Sequence, residues 1–210
     1  MAPLWEDAVM IRVFSGLLVV LATSAGAQEG PSFDCANAGS TAEELICADA
    51  GLAALDRRVA QRYAAAVDVA KGVGGDAADE LRAYQRGWIK GRDECWKAAD
   101  QRACVEGEYL RREAELVTQW MLEEPFNTAF WACGGNPANE VVTMFFDTEL
   151  PSLRFERGDS IDTGVQVMAA SGAKYEGSFG RSIWMKGDQA TYREPDPDGT
   201  SYECELTQER

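Results

Sequence analysis

The sequence predicts two unlike parts in one chain, a small all-α helical hairpin or bundle stapled by disulfides and then an all-β antiparallel barrel. Three observations carry this expectation. Apolar residues recur at three- and four-residue steps from Thr41 to about Met121, and beyond Pro125 the pattern changes to alternation with period two. All six cysteines lie beyond a leader-like N-terminal segment. Turn-forming residues then break up the last third of the chain at short intervals.

The leader comes first. Met10-Ile-Arg12 is a short basic start, Val13 to Ala22 is largely apolar, and Ala25-Gly-Ala27 has the small-x-small form of a signal-peptidase site. Residues 1–27 are therefore expected to be a cleaved signal peptide, with Gln28 as the mature N-terminus. The preceding Ala2 to Val9 is acidic and unlike a signal start, which leaves Met1 and Met10 both open as the initiator. Roughly ten apolar residues are too few to cross about 30 Å of hydrocarbon. The first cysteine, Cys35, stands away from the cleavage point, so the expectation is soluble export to the periplasm without a lipid anchor.

In the helical part, residues 28–124, Thr41-Ala-Glu-Glu44 has the form of a capping box. Leu45, Leu52, Leu55, Val59, Tyr63 and Val67 then line one face, opposite Asp56, Arg57, Arg58 and Arg62. The pattern reads as one long helix to about Val69, with an irregular turn allowed at Asp49-Ala-Gly51. Gly72-Val-Gly-Gly75 ends it. A second helix starts at Asp76-Ala-Ala-Asp79, with Leu81, Tyr84, Trp88 and Cys95 on one face, and a third runs from about Ala99 to Met121. Packed antiparallel, these would bring Cys47 near Cys95 and Cys35 near Cys104, a nested pairing.

In the second part, residues 125–210, β-rich stretches occur at Glu140 to Asp147, Ser152 to Glu156, Thr163 to Met168, Ser182 to Lys186 and Ser201 to Leu206. Gly134-Gly-Asn-Pro137, Arg157-Gly-Asp159, Gly187-Asp188 and Pro195-Asp-Pro-Asp-Gly199 separate them. Seven or eight short strands imply a small barrel, whose closure removes exposed edges. Cys133 on the first strand and Cys204 on the last can pair to fasten it, while the polar tail after Leu206 is expected to fray.

Charge and composition exclude several functions. The net charge is −15, and removal of residues 1–27 leaves −14, shared equally between the two parts. Neither part has the basic cluster that nucleic acid requires, so a basic partner is favoured. With no His and with cysteines best used in disulfides, neither a nucleophile–base pair nor a usual metal site can be assembled, and no cofactor motif is present. Gly172 and Gly177-x-x-Gly180 lack the Gly-Lys-Ser/Thr of a phosphate loop. The chain reads as a binding protein, not an enzyme. Ser171-Gly-Ala-Lys-Tyr-Glu-Gly177 and Trp184-Met-Lys-Gly187 allow two readings: a glycine-bearing hairpin whose Tyr175 and Trp184 serve the barrel core, or a protein-binding loop with aromatic anchors.

Here a resemblance enters. Trp131-Ala-Cys133, Ala170-Ser-Gly-Ala-Lys-Tyr175, Ile183-Trp-Met-Lys-Gly-Asp-Gln-Ala190 and Cys204, in that order, resemble the MliC/PliC family of C-type lysozyme inhibitors. The resemblance implies an eight-stranded antiparallel barrel closed by a disulfide. It implies also that Ser171 and Lys186 enter the lysozyme cleft toward its catalytic carboxylates, with Gly172, Lys174 and Tyr175 in the same binding segment. Gly172 and Tyr175 would shape the loop, with the Tyr175 ring at the contact edge. Residues 33 to about 118 resemble the N-terminal domain of LprI-like proteins, some of which are linked to lysozyme inhibition. Phe33-Asp-Cys35, Glu44-Leu-Ile-Cys47, Leu52-Ala-Ala-Leu-Asp56, Gln85-Arg-Gly-Trp88, Arg92-Asp-Glu-Cys95, Cys104 and Tyr109 carry that second match. On physical grounds Leu52, Leu55 and Trp88 read as core, and Asp56 with Arg92 as a structural ion pair rather than a site. The competing reading is an envelope protein-binding or stress-response module that does not inhibit.

Overall fold

The computed structural model describes residues 30–209; the expected signal peptide lies outside the described residues. Four helices form the first part: α1 (Thr41–Ala48), α2 (Ala50–Val73), α3 (Ala77–Asp93) and α4 (Gln101–Trp120), with short 3-10 turns at Cys35–Asn37 and Glu94–Lys97. The N-cap sits one residue earlier than the sequence suggested, with the Glu43 carboxylate reaching back past it. Ser40 Oγ accepts from the Glu43 amide at 3.1 Å, and the Glu43 carboxylate accepts from the Gly39 amide at 2.7 Å.

The single long helix is instead two, because Asp49 leaves helical geometry at φ −111° and ψ 114°. Its carboxylate starts α2 by accepting from the Leu52 amide at 3.0 Å, and it also accepts from Arg102 Nε of α4 at 2.8 Å. The Arg102 hydrogen bond, followed by that from Leu52, holds the Asp49 carboxyl below the usual carboxylate range.

The disulfides also differ from the expected pairing. The bonds are Cys35–Cys47 and Cys95–Cys104, not the nested Cys47–Cys95 and Cys35–Cys104. Nesting presumed that antiparallel packing sets Cys47 beside Cys95 and Cys35 beside Cys104. Each 3-10 turn instead brings its cysteine back onto a nearby helix, Cys35 to the last turn of α1 and Cys95 to the first turn of α4.

Ile46, Leu52, Leu55, Val59, Val105, Tyr109 and Leu116 form the helical core. Tyr84 is not on that face, being 75% exposed. Asp56, expected outside, is buried, because Tyr109 Oη donates to its Oδ1 at 2.8 Å and the Ser32 amide to its Oδ2 at 2.5 Å. Arg92 Nη1 donates to the same Tyr109 oxygen at 2.8 Å. Asp56 and Arg92 are thus linked through a hydroxyl between them. A buried carboxylate and a buried guanidinium are tolerable only with such partners.

The second part is a closed antiparallel barrel of eight strands among the described residues, each paired with its sequence neighbours and the first with the last. They are β1 (Asn127–Cys133), β2 (Glu140–Phe146), β3 (Ser152–Arg157), β4 (Ser160–Val167), β5 (Ala173–Glu176), β6 (Ser182–Lys186), β7 (Gln189–Arg193) and β8 (Ser201–Glu209). Trp131, Leu153, Phe155, Ile183 and Tyr192 fill the interior, and the buried Trp131 indole donates to Thr143 Oγ1 at 3.0 Å. Cys133 and Cys204 lie directly opposite in the β1–β8 register and are bonded. The tail does not fray at Leu206. Past an irregularity between Phe130 and Trp131, Gln208 and Glu209 pair with Phe130 and Ala129, so closure recruits the tail that its polarity argued against.

The two parts meet where the end of α4 lies on β3 and β4. The buried Arg154 of β3 donates from Nη1 to the carbonyls of Thr118 at 3.3 Å and Gln119 at 2.9 Å. These helix-end carbonyls have no partner within α4, and a cation there also meets the negative end of the helix dipole. The hydroxyls of Thr118 and Thr163 are 2.6 Å apart, and Arg58 of α2 reaches Glu149 between β2 and β3 at 2.5 Å. Among the described residues no helix is long and apolar enough to cross a membrane.

Candidate functional site

Antiparallel closure places the β4–β5 connection and the β6–β7 turn at the same end of the barrel. The β5–β6 register sets Ala173 opposite Met185 and Lys174 opposite Trp184. Ser171 and Gly172, just before β5, therefore sit beside Met185 and Lys186 at the end of β6. The approach is close. A Cβ on Gly172 would lie 2.1 Å from the Met185 carbonyl oxygen, and Gly172 holds φ +68°. Only glycine meets both demands.

Trp184 connects the two segments. Its Nε1–H donates to the Ser171 carbonyl at 2.7 Å, and the Lys186 ammonium stands 3.5 Å from the centroid of its ring. Trp184 and Lys186 share the outer face because they are two residues apart on one strand. Beyond Lys186, Gly187 takes φ +62° in the two-residue Gly187-Asp188 turn, and the Leu206 amide of β8 donates to the Asp188 carbonyl at 2.8 Å. Ser171 and Lys186 are both exposed. Among the described residues neither the Ser171 hydroxyl nor the Lys186 ammonium is engaged by a carboxylate.

The structure separates the other two side chains of the expected binding segment from this pair. Lys174 faces outward but is tied to Glu176, with Nζ–Oε1 at 2.6 Å. Tyr175 points into the barrel, 6% exposed, with its ring edge-to-face against Phe145 at 5.7 Å between centroids. Burial pushes the Tyr175 phenol up. Its parity on β5 decides this, since side chains alternate sides along a strand. The residue that sequence reasoning undervalued is Trp184, placed there as anchor or core. Its two-residue spacing from Lys186 was the available signal; its contact with Ser171 depends on a cross-strand register that spacing does not reveal.

Chemically, the site offers a hydroxyl and an ammonium that has no carboxylate partner among the described residues, on a preorganised support. All six cysteines are in disulfides, so no thiol accompanies them. A separate cleft of about 540 Å³ lies between the helical part and the other end of the barrel, lined by Tyr84, Arg112, Glu115, Phe179 and Arg181 among others, and shares no residue with this site.

Comparison with known proteins gives two family matches in chain order. Residues 34–116 match the model described as lysozyme inhibitor LprI, and residues 131–201 match that described as membrane-bound lysozyme-inhibitor of c-type lysozyme, MliC. Each part thus matches a lysozyme-inhibitor family. Ser171, Gly172, Trp184 and Lys186 all fall within the MliC match, and Cys204 lies three residues beyond it. Relatives include the lipoproteins LprI of Mycobacterium bovis and Mycobacterium tuberculosis, 27% identical over 157 residues, covering 74% of this chain and 75% of theirs. A match of that length exceeds either part alone and so takes in residues of both.

Proposed function

We propose that the protein is a periplasmic inhibitor of C-type lysozyme that blocks the enzyme's cleft by inserting Ser171 and Lys186 toward the catalytic carboxylates. The observation that carries this reading is the convergence at one barrel end, within the MliC match, of an exposed hydroxyl and an ammonium without a carboxylate partner among the described residues. Lysozyme hydrolyses glycosidic bonds with a pair of carboxyl groups flanking the scissile bond. An ammonium placed between them forms charge-assisted hydrogen bonds, which strengthen as the closing interface excludes water. Neither inserted group can be cleaved, so the cleft is occupied without turnover. The net charge of −14 on residues 28–210 favours encounter with a basic enzyme and acts mainly on the association rate. No step of this mechanism asks the inhibitor for a cofactor or a metal.

The test is titration of purified residues 28–210 against C-type lysozyme acting on a cell-wall substrate, with S171A and K186A alongside. Inhibition at micromolar concentration or below is expected, weakened in both variants. A wild-type protein without effect at those concentrations removes the reading; potency unchanged in both variants removes the site.

A further inference from the structure

The geometry points to Trp184 as the positioning residue of the inhibitory site, one indole that sets both Ser171 and Lys186. This rests on the inhibitor reading above and names the group on which that site depends. Two separate contacts support it. The indole N–H donates to the Ser171 carbonyl at 2.7 Å, which fixes the backbone that carries the hydroxyl. The ring face lies 3.5 Å from the Lys186 ammonium, well within the range over which a cation is attracted to an aromatic ring.

The reason such a support matters is entropic. A lysine side chain is rich in rotamers, and a glycine-bearing loop is rich in backbone states, so both lose freedom when they enter a cleft. Here each is restrained beforehand by the same ring. Trp184 is itself set by β6, opposite Lys174 of β5 and Thr191 of β7, so its Cα is fixed on both sides by strand pairing. It is only half-buried on the outer face, and its removal leaves no closed cavity in the barrel. The interior neighbours of β6, Ile183 and Met185, point the other way and are untouched by the change.

The two contacts can be taken apart. Trp184→Phe keeps an aromatic face but has no N–H; Trp184→Leu loses both. Each is made alone and together with Ser171→Ala or Lys186→Ala in the 28–210 chain. Inhibition constants are measured against C-type lysozyme, and the Lys186 methylene proton shifts are read by NMR in the free protein. We expect W184F to weaken inhibition about 3- to 10-fold and W184L about 10- to 100-fold, from typical hydrogen-bond and cation–ring strengths. In W184L the further effect of K186A should shrink to about threefold or less, since the lysine has already lost its support. The Lys186 methylene protons should be shifted upfield by the ring in wild type and return to ordinary positions in W184L.

A folded W184L that inhibits as wild type does, or W184L and K186A effects that simply multiply, would overturn the proposal. Should W184L not fold, coupling between W184F and S171A decides in the same way. If wild type itself does not inhibit, the inhibitor reading fails, and the NMR arm still judges the positioning claim. Ordinary Lys186 shifts in wild type would refute it whatever the inhibition result.

Discussion

Replacing Gly172 by Ala separates the geometry of the site from general stability. At Gly172 a Cβ would lie 2.1 Å from the Met185 carbonyl oxygen, where real Cβ contacts essentially never fall under 3.0 Å. The loop and the end of β6 must therefore move apart by about 0.9 Å, which also draws the Ser171 carbonyl from the Trp184 indole. A left-handed backbone costs a non-glycine residue about 1–2 kcal/mol, and loss of the hydrogen bond adds about 1 kcal/mol. Gly187→Ala is the internal control. Its φ of +62° imposes a similar backbone cost, but nothing lies within 4 Å of the added carbon. Both variants should be destabilised in urea or thermal unfolding, G172A by about 2–3 kcal/mol and G187A by about 1–2. In a lysozyme inhibition titration G172A should lose about tenfold or more in potency, while G187A stays within about threefold. Equal potency of G172A and wild type would refute the reasoning, because it would mean that the close approach of the two segments has no part in binding.

Further outcomes follow from the rest of the fold. By loop-entropy the Cys133–Cys204 bond, 71 residues apart, should stabilise by about 4.4 kcal/mol, against about 2.8 and 2.6 for separations of 12 and 9 in the helical part. Denaturant unfolding of C133A/C204A should thus show the largest loss of the three disulfide-deleted proteins, and a smaller loss than in C35A/C47A would contradict this. Arg154→Ala leaves the carbonyls of Thr118 and Gln119 without their cationic donor and should cost about 1.5–3 kcal/mol, with faster amide exchange at the end of α4. Unchanged exchange there would show that the two parts do not depend on this contact. For Asp49 the carboxyl is held below its ordinary value in the fold, so its stabilisation is present above the ordinary value and is lost as pH falls through the folded one. Melting temperature should therefore drop more steeply below about pH 4 in wild type than in Asp49→Asn, which keeps an acceptor for Leu52 but not the charge facing Arg102. Identical acid profiles would argue against that ion pair.

The fold class was legible because period and punctuation are local: the steps from Leu45 to Val67 demand a helix, and the alternation of Ser182 to Lys186 demands a strand. Features set by three-dimensional path were not. Asp49 reads as one more polar residue until its carboxylate is seen capping α2, and the disulfide partners follow from two short 3-10 turns that no periodicity announces. β5 is only four residues long and is flanked by glycines, so Ala173 to Glu176 reads as loop; strands on both sides make it a strand. Gln208 and Glu209 pair with β1, a partner almost eighty residues away in sequence. At the site, Ser171 and Lys186 came from ordered motifs, whereas the inward turn of Tyr175 and the Lys174–Glu176 pair depend on strand parity that a loop reading could not supply. Trp184 lay in plain sight, but its two contacts need the β5–β6 register.

Under the proposed function, this barrel end and a sugar chain compete for one cleft. Binding of the 28–210 protein to C-type lysozyme should be measured with and without a cleft-filling oligomer of N-acetylglucosamine. With the oligomer at about 100 times its own dissociation constant, the apparent affinity of the protein should fall about 100-fold. An affinity unmoved by the oligomer would place the protein elsewhere on the enzyme and contradict the account.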